Sequence, residues 1–131
     1  MASRDLTQLH PLLKTPIADL IILCKQEGVD LLVTCTYRSS EEQDLLYAQS
    51  RTAPGPKVTN ARGGQSKHNF KIDGQPASKA VDFVPVRNGK CVWDNSDPAW
   101  QVMGRIARKL GLDWAGDWKR FKEYPHVQLK E

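Results

Sequence analysis

Two histidines, an aspartate and a glutamate are the residues of this chain best suited to chemistry: His68, Asp82, His126 and Glu123. Two imidazoles and a carboxylate make up a donor set that a catalytic zinc ion accepts while keeping one position open for water. Glu123 stands three residues before His126, so on an extended or turning backbone its carboxylate reaches the same place. A carboxylate there is a general base beside a Lewis acid.

The stretches that must position these groups can be read from their patterns. Residues 79–86 alternate and are rich in β-branched residues, which predicts a strand that carries Asp82 inward among Val81, Phe83 and Val84. A carboxylate so placed is costly unless it is paired or bound to a cation. On this segment alone, an ion pair to an arginine and a metal ligand are equal readings. Residues 124–129 predict a last strand, with His126 and Gln128 on one face and Val127 and Leu129 on the other.

Residues 29–37 read as a core strand, with Arg38 at its end. Ser39 and Glu42 then have the spacing of a capping box and open a helix through about Gln49. A cation at such a strand-to-helix junction faces a crevice, where it can meet a substrate carboxylate or the oxyanion of a tetrahedral intermediate. Taken alone, an arginine there is more often a partner in an ordinary surface ion pair. Residues 51–65, with Pro54-Gly55-Pro56 and Gly63-Gly64, form a loop by composition and suggest a substrate-facing flap. Neither phosphate-binding glycine pattern is present.

The remaining elements are scaffold. Apolar residues recur at helical intervals over residues 5–28 and stop at Gly28, with Pro11 and Pro16 predicting a short first helix and a longer second one from near Pro16. His10, beside Pro11, suits a cap or surface role. Asn88-Gly89 signals a type I′ turn between residues 84–86 and 90–93. Asp97-Pro98 starts a helix that ends at Gly111 and lines Trp100, Met103, Ile106, Ala107 and Leu110 along one face.

With 131 residues of which 40% are hydrophobic, the chain suits one domain over residues 1–131 with a single core. Its 19 basic against 15 acidic residues give +4, a balance that suits an anionic polymer such as nucleic acid or bacterial wall. The basic residues are scattered and no nucleic-acid reading motif occurs, so no nucleic-acid partner is expected. Cys24, Cys35 and Cys91 are odd in number and widely spaced in apolar surroundings, which predicts buried free thiols rather than disulfides. The start Met-Ala-Ser-Arg-Asp-Leu lacks the pattern of a signal peptide, and the longest apolar run, Leu20 to Cys24, cannot span a bilayer. The expectation is cytoplasmic synthesis without membrane insertion.

Ser66-x-His68 followed by Ala80-x-Asp82, then Glu123-Tyr-Pro-His126, together with Tyr37-Arg38-Ser39 leading into Glu42-Gln43, resembles the zinc D,D-peptidase family of VanX and VanY type. Within it the likeness is to the small L-alanyl-D-glutamate endopeptidases that bacteriophages use as endolysins, and it covers nearly the whole chain. The resemblance implies an α+β fold of the zinc D,D-peptidase and hedgehog-like kind, a small antiparallel sheet from residues 31–37, 79–86, 90–93 and 124–129 with helices packed on one side. It implies one zinc ion held by His68, Asp82 and His126, Glu123 as general base and acid, and Arg38 as transition-state stabiliser. Ser66 would be a substrate contact and Trp114 would line the cleft.

The implied activity is hydrolysis of the peptidoglycan stem peptide by a monomer without a separate wall-binding module. It would reach the wall once the inner membrane is permeabilised, in host lysis. A D-alanyl-D-alanine carboxypeptidase or dipeptidase with a narrower cleft is the alternative. A non-catalytic zinc-stabilised binding domain is a third reading, against which Glu123 argues. The sequence departs from the family pattern in the gap of fourteen residues between His68 and Asp82, and in Ser78 where the motif has glycine. Residues 71–77 read as an insertion. They bring in Asp73 as a rival or helper of Asp82, which is preferred because it sits in a strand.

Overall fold

The sheet is built around the strand that carries Asp82. In the computed structural model, which describes residues 3–131, strand β1 (Asp30–Cys35) and strand β4 (Ala80–Arg87) pair antiparallel. Beyond β4 come β7 (His126–Leu129) and then β6 (Leu112–Trp114), giving the order β1-β4-β7-β6. The short β5 (Lys90–Cys91) folds back on the end of β4. Asn88 and Gly89 connect them at φ of 54° and 75°, as the predicted type I′ turn requires. Met1 and Ala2, part of the N-terminal stretch read above, lie outside the described residues.

Helix α1 (Pro11–Gln26) sends Leu13, Ile17, Leu20 and Cys24 into a core completed by Val81, Phe83 and Val84 of β4 and by helix α3 (Pro98–Lys109). The predicted break at Pro16 does not occur, and one helix runs through it. Pro11 occupies the first helical position, where its missing N–H has no partner to lose. Pro16 forfeits only the bond to the carbonyl of Leu12, a residue 68% exposed where water can stand in, while the buried stripe continues on the other side. Among the described residues no helix is long and apolar enough to cross a membrane.

Strand β1 departs from the core-strand reading. It lies at the sheet edge and only Cys35 is buried, with Leu32 38% exposed, because Leu31 and Val33 turn to the core shared by α1 and α3 and Leu32, by alternation, to the other face. Cys24 and Cys35 are buried free thiols as expected, whereas Cys91 is exposed on the short β5.

Helix α2 (Ser40–Ala48) begins with the predicted capping box: Ser39 Oγ accepts from the Glu42 N–H at 3.0 Å and Glu42 Oε1 accepts from the Ser39 N–H at 3.2 Å. Asp97 caps α3 by accepting from the Ala99 N–H at 2.9 Å. Residues 71–76 form their own hairpin, β2 (Lys71–Ile72) with β3 (Gln75–Pro76), turned by Asp73 and Gly74 at positive φ. Asp73 is exposed at that tip.

Candidate active site

Three acceptor atoms from three separate segments meet at one point. Asp82 and His126 are directly paired across β4 and β7, and the 3₁₀ turn Lys67–Asn69 brings in His68. His68 Nε2 lies 3.2 Å and His126 Nδ1 3.1 Å from the same oxygen, Asp82 Oδ1. The two rings stand edge to face with centroids 5.2 Å apart. Both histidines are buried.

The outward nitrogen of each ring settles what the inward one offers. His68 Nδ1 is 2.7 Å from the Thr36 carbonyl, which can only accept, so Nδ1 carries a proton and Nε2 is the nitrogen that can turn a lone pair to a metal. His126 Nε2 is 2.8 Å from Gln128 Oε1, and the Gln128 amide nitrogen donates at 3.4 Å to Asp113 Oδ2. The carboxylate of Asp113 fixes which way the amide faces, so Nε2–H of His126 donates to Gln128 and Nδ1 is the nitrogen turned to the site. Two lone pairs and a carboxylate oxygen facing one another repel unless a cation or a proton lies between them. Burial pushes the His68 imidazolium towards losing its proton, but Asp82 outweighs it and raises the pKa. Burial likewise raises Asp82, and the two histidines lower it by more. The donor set therefore fits a zinc ion, with outer hydrogen bonds of the kind that orient metal-binding imidazoles.

Cys35 is an alternative donor, since its sulfur, His68 and Asp82 also offer atoms within 4.8 Å of one another. Its Sγ, however, lies 3.6 Å from His68 Nδ1, on the side of the ring already turned to Thr36, and receives Arg38 Nη2 at 3.5 Å. A guanidinium against the sulfur opposes a second cation there. The register shift between Val33 and Cys35 on β1 is a bulge that brings Cys35 opposite Asp82 and turns the strand end towards the site.

Arg38 leaves that strand end and reaches Asp82 Oδ2 at 3.7 Å. Its Nη1 donates to Gln43 Oε1 at 2.9 Å. Gln43 is fully buried on α2 and donates from Nε2 to the Ala61 carbonyl at 2.8 Å and to Thr59 Oγ1 at 3.3 Å. One glutamine thus ties the guanidinium to the loop that was read as a flap, and residues 57–61 do line the cleft. Arg38 Nε is buried without a partner among the described residues. Glu123 Oε2 lies 3.8 Å from His126 Nδ1. Its side chain is 47% exposed, yet burial on the site side raises its pKa, and Asp82 adds to the rise against the opposing pull of His126.

Two of the expected contacts read differently in three dimensions. Ser66 borders the cleft, but its hydroxyl accepts from the His68 N–H at 3.2 Å and caps the turn that presents the imidazole. Trp114 does not line the cleft. It is 1% exposed, donates from Nε1 to the Tyr124 carbonyl at 2.8 Å, and packs where a Cβ on Gly104 or Gly116 would sit 2.2 or 2.1 Å from its ring. The indole at the site is Trp118, 5.6 Å from the His126 ring and donating to Asp113 Oδ1 at 3.3 Å. Asp73 is carried away on its hairpin, which leaves Asp82 as the carboxylate at the histidines.

Sequence reasoning missed Asn69, Asp113, Gln43 and Gln128 as supports. Asn69 Nδ2 donates to the Arg38 carbonyl at 2.8 Å while its Oδ1 accepts from the N–H groups of Gly64 and Ser66. Asn69 and Gln128 stand one and two positions from a histidine ligand and Gln43 belongs to the motif around Arg38, whereas nothing in a single sequence marks Asp113. The whole lies in a cleft of about 1280 Å³, larger than a small-molecule pocket and open enough for a polymer.

A family described as D-alanyl-D-alanine carboxypeptidase, within peptidase family M15, matches residues 59–129. The peptidoglycan L-alanyl-D-glutamate endopeptidase CwlK of Bacillus subtilis (strain 168) is 39% identical over 131 residues, covering 94% of this chain and 74% of the relative. An L-alanyl-D-glutamate peptidase of Listeria phage A118 is 26% identical over 97% of this chain and 41% of its own length. Among solved structures, the Serratia marcescens L-Ala D-Glu endopeptidase ChiX superposes with a TM-score of 0.63 at 24% identity, over 99% of this chain and 89% of that one. The vancomycin-resistance D,D-pentapeptidase VanY, as an E175A mutant with Zn(II), gives a TM-score of 0.65 at 16% identity over 92% and 72%. These two structures share the fold.

Proposed function

We propose, because this chain belongs to the D-alanyl-D-alanine carboxypeptidase family of zinc metallopeptidases, that it is an endopeptidase hydrolysing the L-alanyl-D-glutamate bond in the stem peptide of bacterial peptidoglycan. The observation that carries the chemistry is the convergence of His68 Nε2, Asp82 Oδ1 and His126 Nδ1, with Glu123 alongside. The choice of bond is supported by the 39% identity to CwlK and by the open cleft.

His68, Asp82 and His126 would hold one zinc ion, which when bound supplies Lewis-acid activation of water and of the scissile carbonyl. Glu123 takes a proton from the attacking water and returns it to the amine as the carbon–nitrogen bond breaks, a role suited to a carboxylate whose pKa is raised. Arg38, steadied by Gln43 and Asp82, presents its guanidinium to the oxyanion. Water is the nucleophile, so no acyl-enzyme forms. Cys35 stands behind the site against Arg38 and His68.

Incubating purified wall with the zinc-loaded protein and identifying the new termini by mass spectrometry tests the reading. New L-alanine carboxyl termini and D-glutamate amino termini are expected. Release of free D-alanine without loss of stem peptides from the glycan would instead support the second reading, a D,D-carboxypeptidase, which the description of the matching family favours. A role in phage or prophage lysis extends the proposal and draws support from the Listeria phage relative. It requires that cells expressing the protein lyse only after their membrane is permeabilised.

A further inference from the structure

We propose that the rings of Trp93 and Phe121 form a platform for the sugar of the wall polymer, beside the point where its peptide is cut; the inference rests on the endopeptidase reading above. Both side chains line the same cleft as Glu123 and His126. They are 59% and 67% exposed, although large aromatic side chains bury readily and stabilise folds when they do.

The Trp93 ring lies 6.5 Å from that of the fully buried Trp100, whose ring is 6.0 Å from Tyr124 at the cleft. Trp93 therefore rides on a rigid aromatic base adjoining the candidate site. Phe121 has a φ of +55°, a left-handed conformation that bulky residues rarely adopt. It lies two positions before Glu123 and lines the same cleft.

The chemistry of the wall names the occupant. The amino group of the stem's L-alanine is joined through a lactyl ether to the muramyl sugar, so the pyranose sits within roughly two residue lengths, ~7 Å, of the bond to D-glutamate. Of the stem's own groups, the ammonium of the diamino acid also favours an aromatic face, but it stands beyond D-glutamate, on the other side of the scissile bond from the sugar. A pyranose presents a face of C–H groups that packs on the electron-rich face of an aromatic ring. Lys57 and Lys122 also line the cleft and suit the acidic stem. The same cleft thus offers aromatic faces to the uncharged sugar and cations to the acidic peptide.

The test compares two substrates of the zinc-loaded full chain: a muramyl stem tetrapeptide, and the same tetrapeptide with its L-alanine N-acetylated in place of the sugar. Wild type is expected to prefer the muramyl substrate, chiefly through KM. Trp93→Ala and Phe121→Ala should each lower the ratio of the two kcat/KM values by about tenfold, ~1.4 kcal/mol, with Trp93→Tyr and Phe121→Tyr restoring most of it. Wild type that cuts both substrates equally, or variants that lose activity equally on both, would overturn the platform and leave the endopeptidase reading standing. Wild type that cuts neither would overturn that reading and the platform with it.

Discussion

His126 Nε2 and Gln128 Oε1 lie 2.8 Å apart, one strand position removed on the same face of β7. The bond commits the other ring nitrogen to the site. Asp113 on β6 holds the Gln128 amide at 3.4 Å and Trp118 donates to the same carboxylate at 3.3 Å, so three residues beyond the imidazole fix its direction. Replacing Gln128 by Ala should weaken zinc binding by about 10- to 100-fold, read by competition with a chromogenic chelator, with the folded far-UV spectrum unchanged. Equal affinity in the variant would show that the strand alone orients His126.

The donor set itself is open to a direct test, because Cys35 offers a geometric alternative to His126. Cys35→Ser should retain one zinc per chain by elemental analysis, while His126→Ala and Asp82→Ala should not. Loss of the metal from the serine variant alone would move the ion to the other side of the His68 ring.

Glu123 belongs to the chemistry rather than to the holding of metal, given its 3.8 Å separation from His126 Nδ1 and its place at the cleft mouth. Glu123→Gln should keep its zinc and its melting temperature and lose roughly 10²- to 10⁴-fold in kcat on purified wall. A variant that released its metal would reassign the residue as a ligand.

Gln43 has no solvent to fall back on. Its removal in Gln43→Leu leaves Arg38 Nη1 and the Ala61 carbonyl without their partner, and each buried unpaired group costs about 1–3 kcal/mol. Chemical denaturation should show a loss of that order, accompanied by a fall in kcat as the guanidinium loses its bearing. A drop in stability with kcat intact would confine Gln43 to holding the loop.

Gly104 is set by the indole lying against it. In Gly104→Ala the new methyl would meet Trp114 at 2.2 Å, and since backbone and ring are both fixed, overpacking should cost about 1–3 kcal/mol, visible as a lower denaturation midpoint. Unchanged stability would mean that the Trp114 ring has room to move.

Much of the site is legible in one dimension. His68, Asp82, His126, Glu123 and Arg38 were each singled out by residue type and by the strand or junction that carries them, and the structure gathers them at one cleft. The capping box at Ser39, the turn at Asn88-Gly89 and the start of α3 at Asp97-Pro98 are local matters, decided by neighbouring side chains and backbone dihedrals. The continuity of α1 through Pro16, the edge position of β1 and the burial of Trp114 were read otherwise, because each depends on what packs against the segment from elsewhere in the chain.

The sequence by itself determined where helices are capped, where the tight turn falls and which side chains can serve as metal donors, since caps, turn dihedrals and strand alternation are short-range and a donor's chemistry belongs to the residue. Only the tertiary structure decided that Asp82 rather than Asp73 meets the histidines, that Trp118 rather than Trp114 stands in the cleft, and that Gln43 and Gln128 steer Arg38 and His126. Those choices are made by register across strands and by which acceptor lies within about 3 Å of a given nitrogen, and such distances exist only once segments far apart in the chain have packed together.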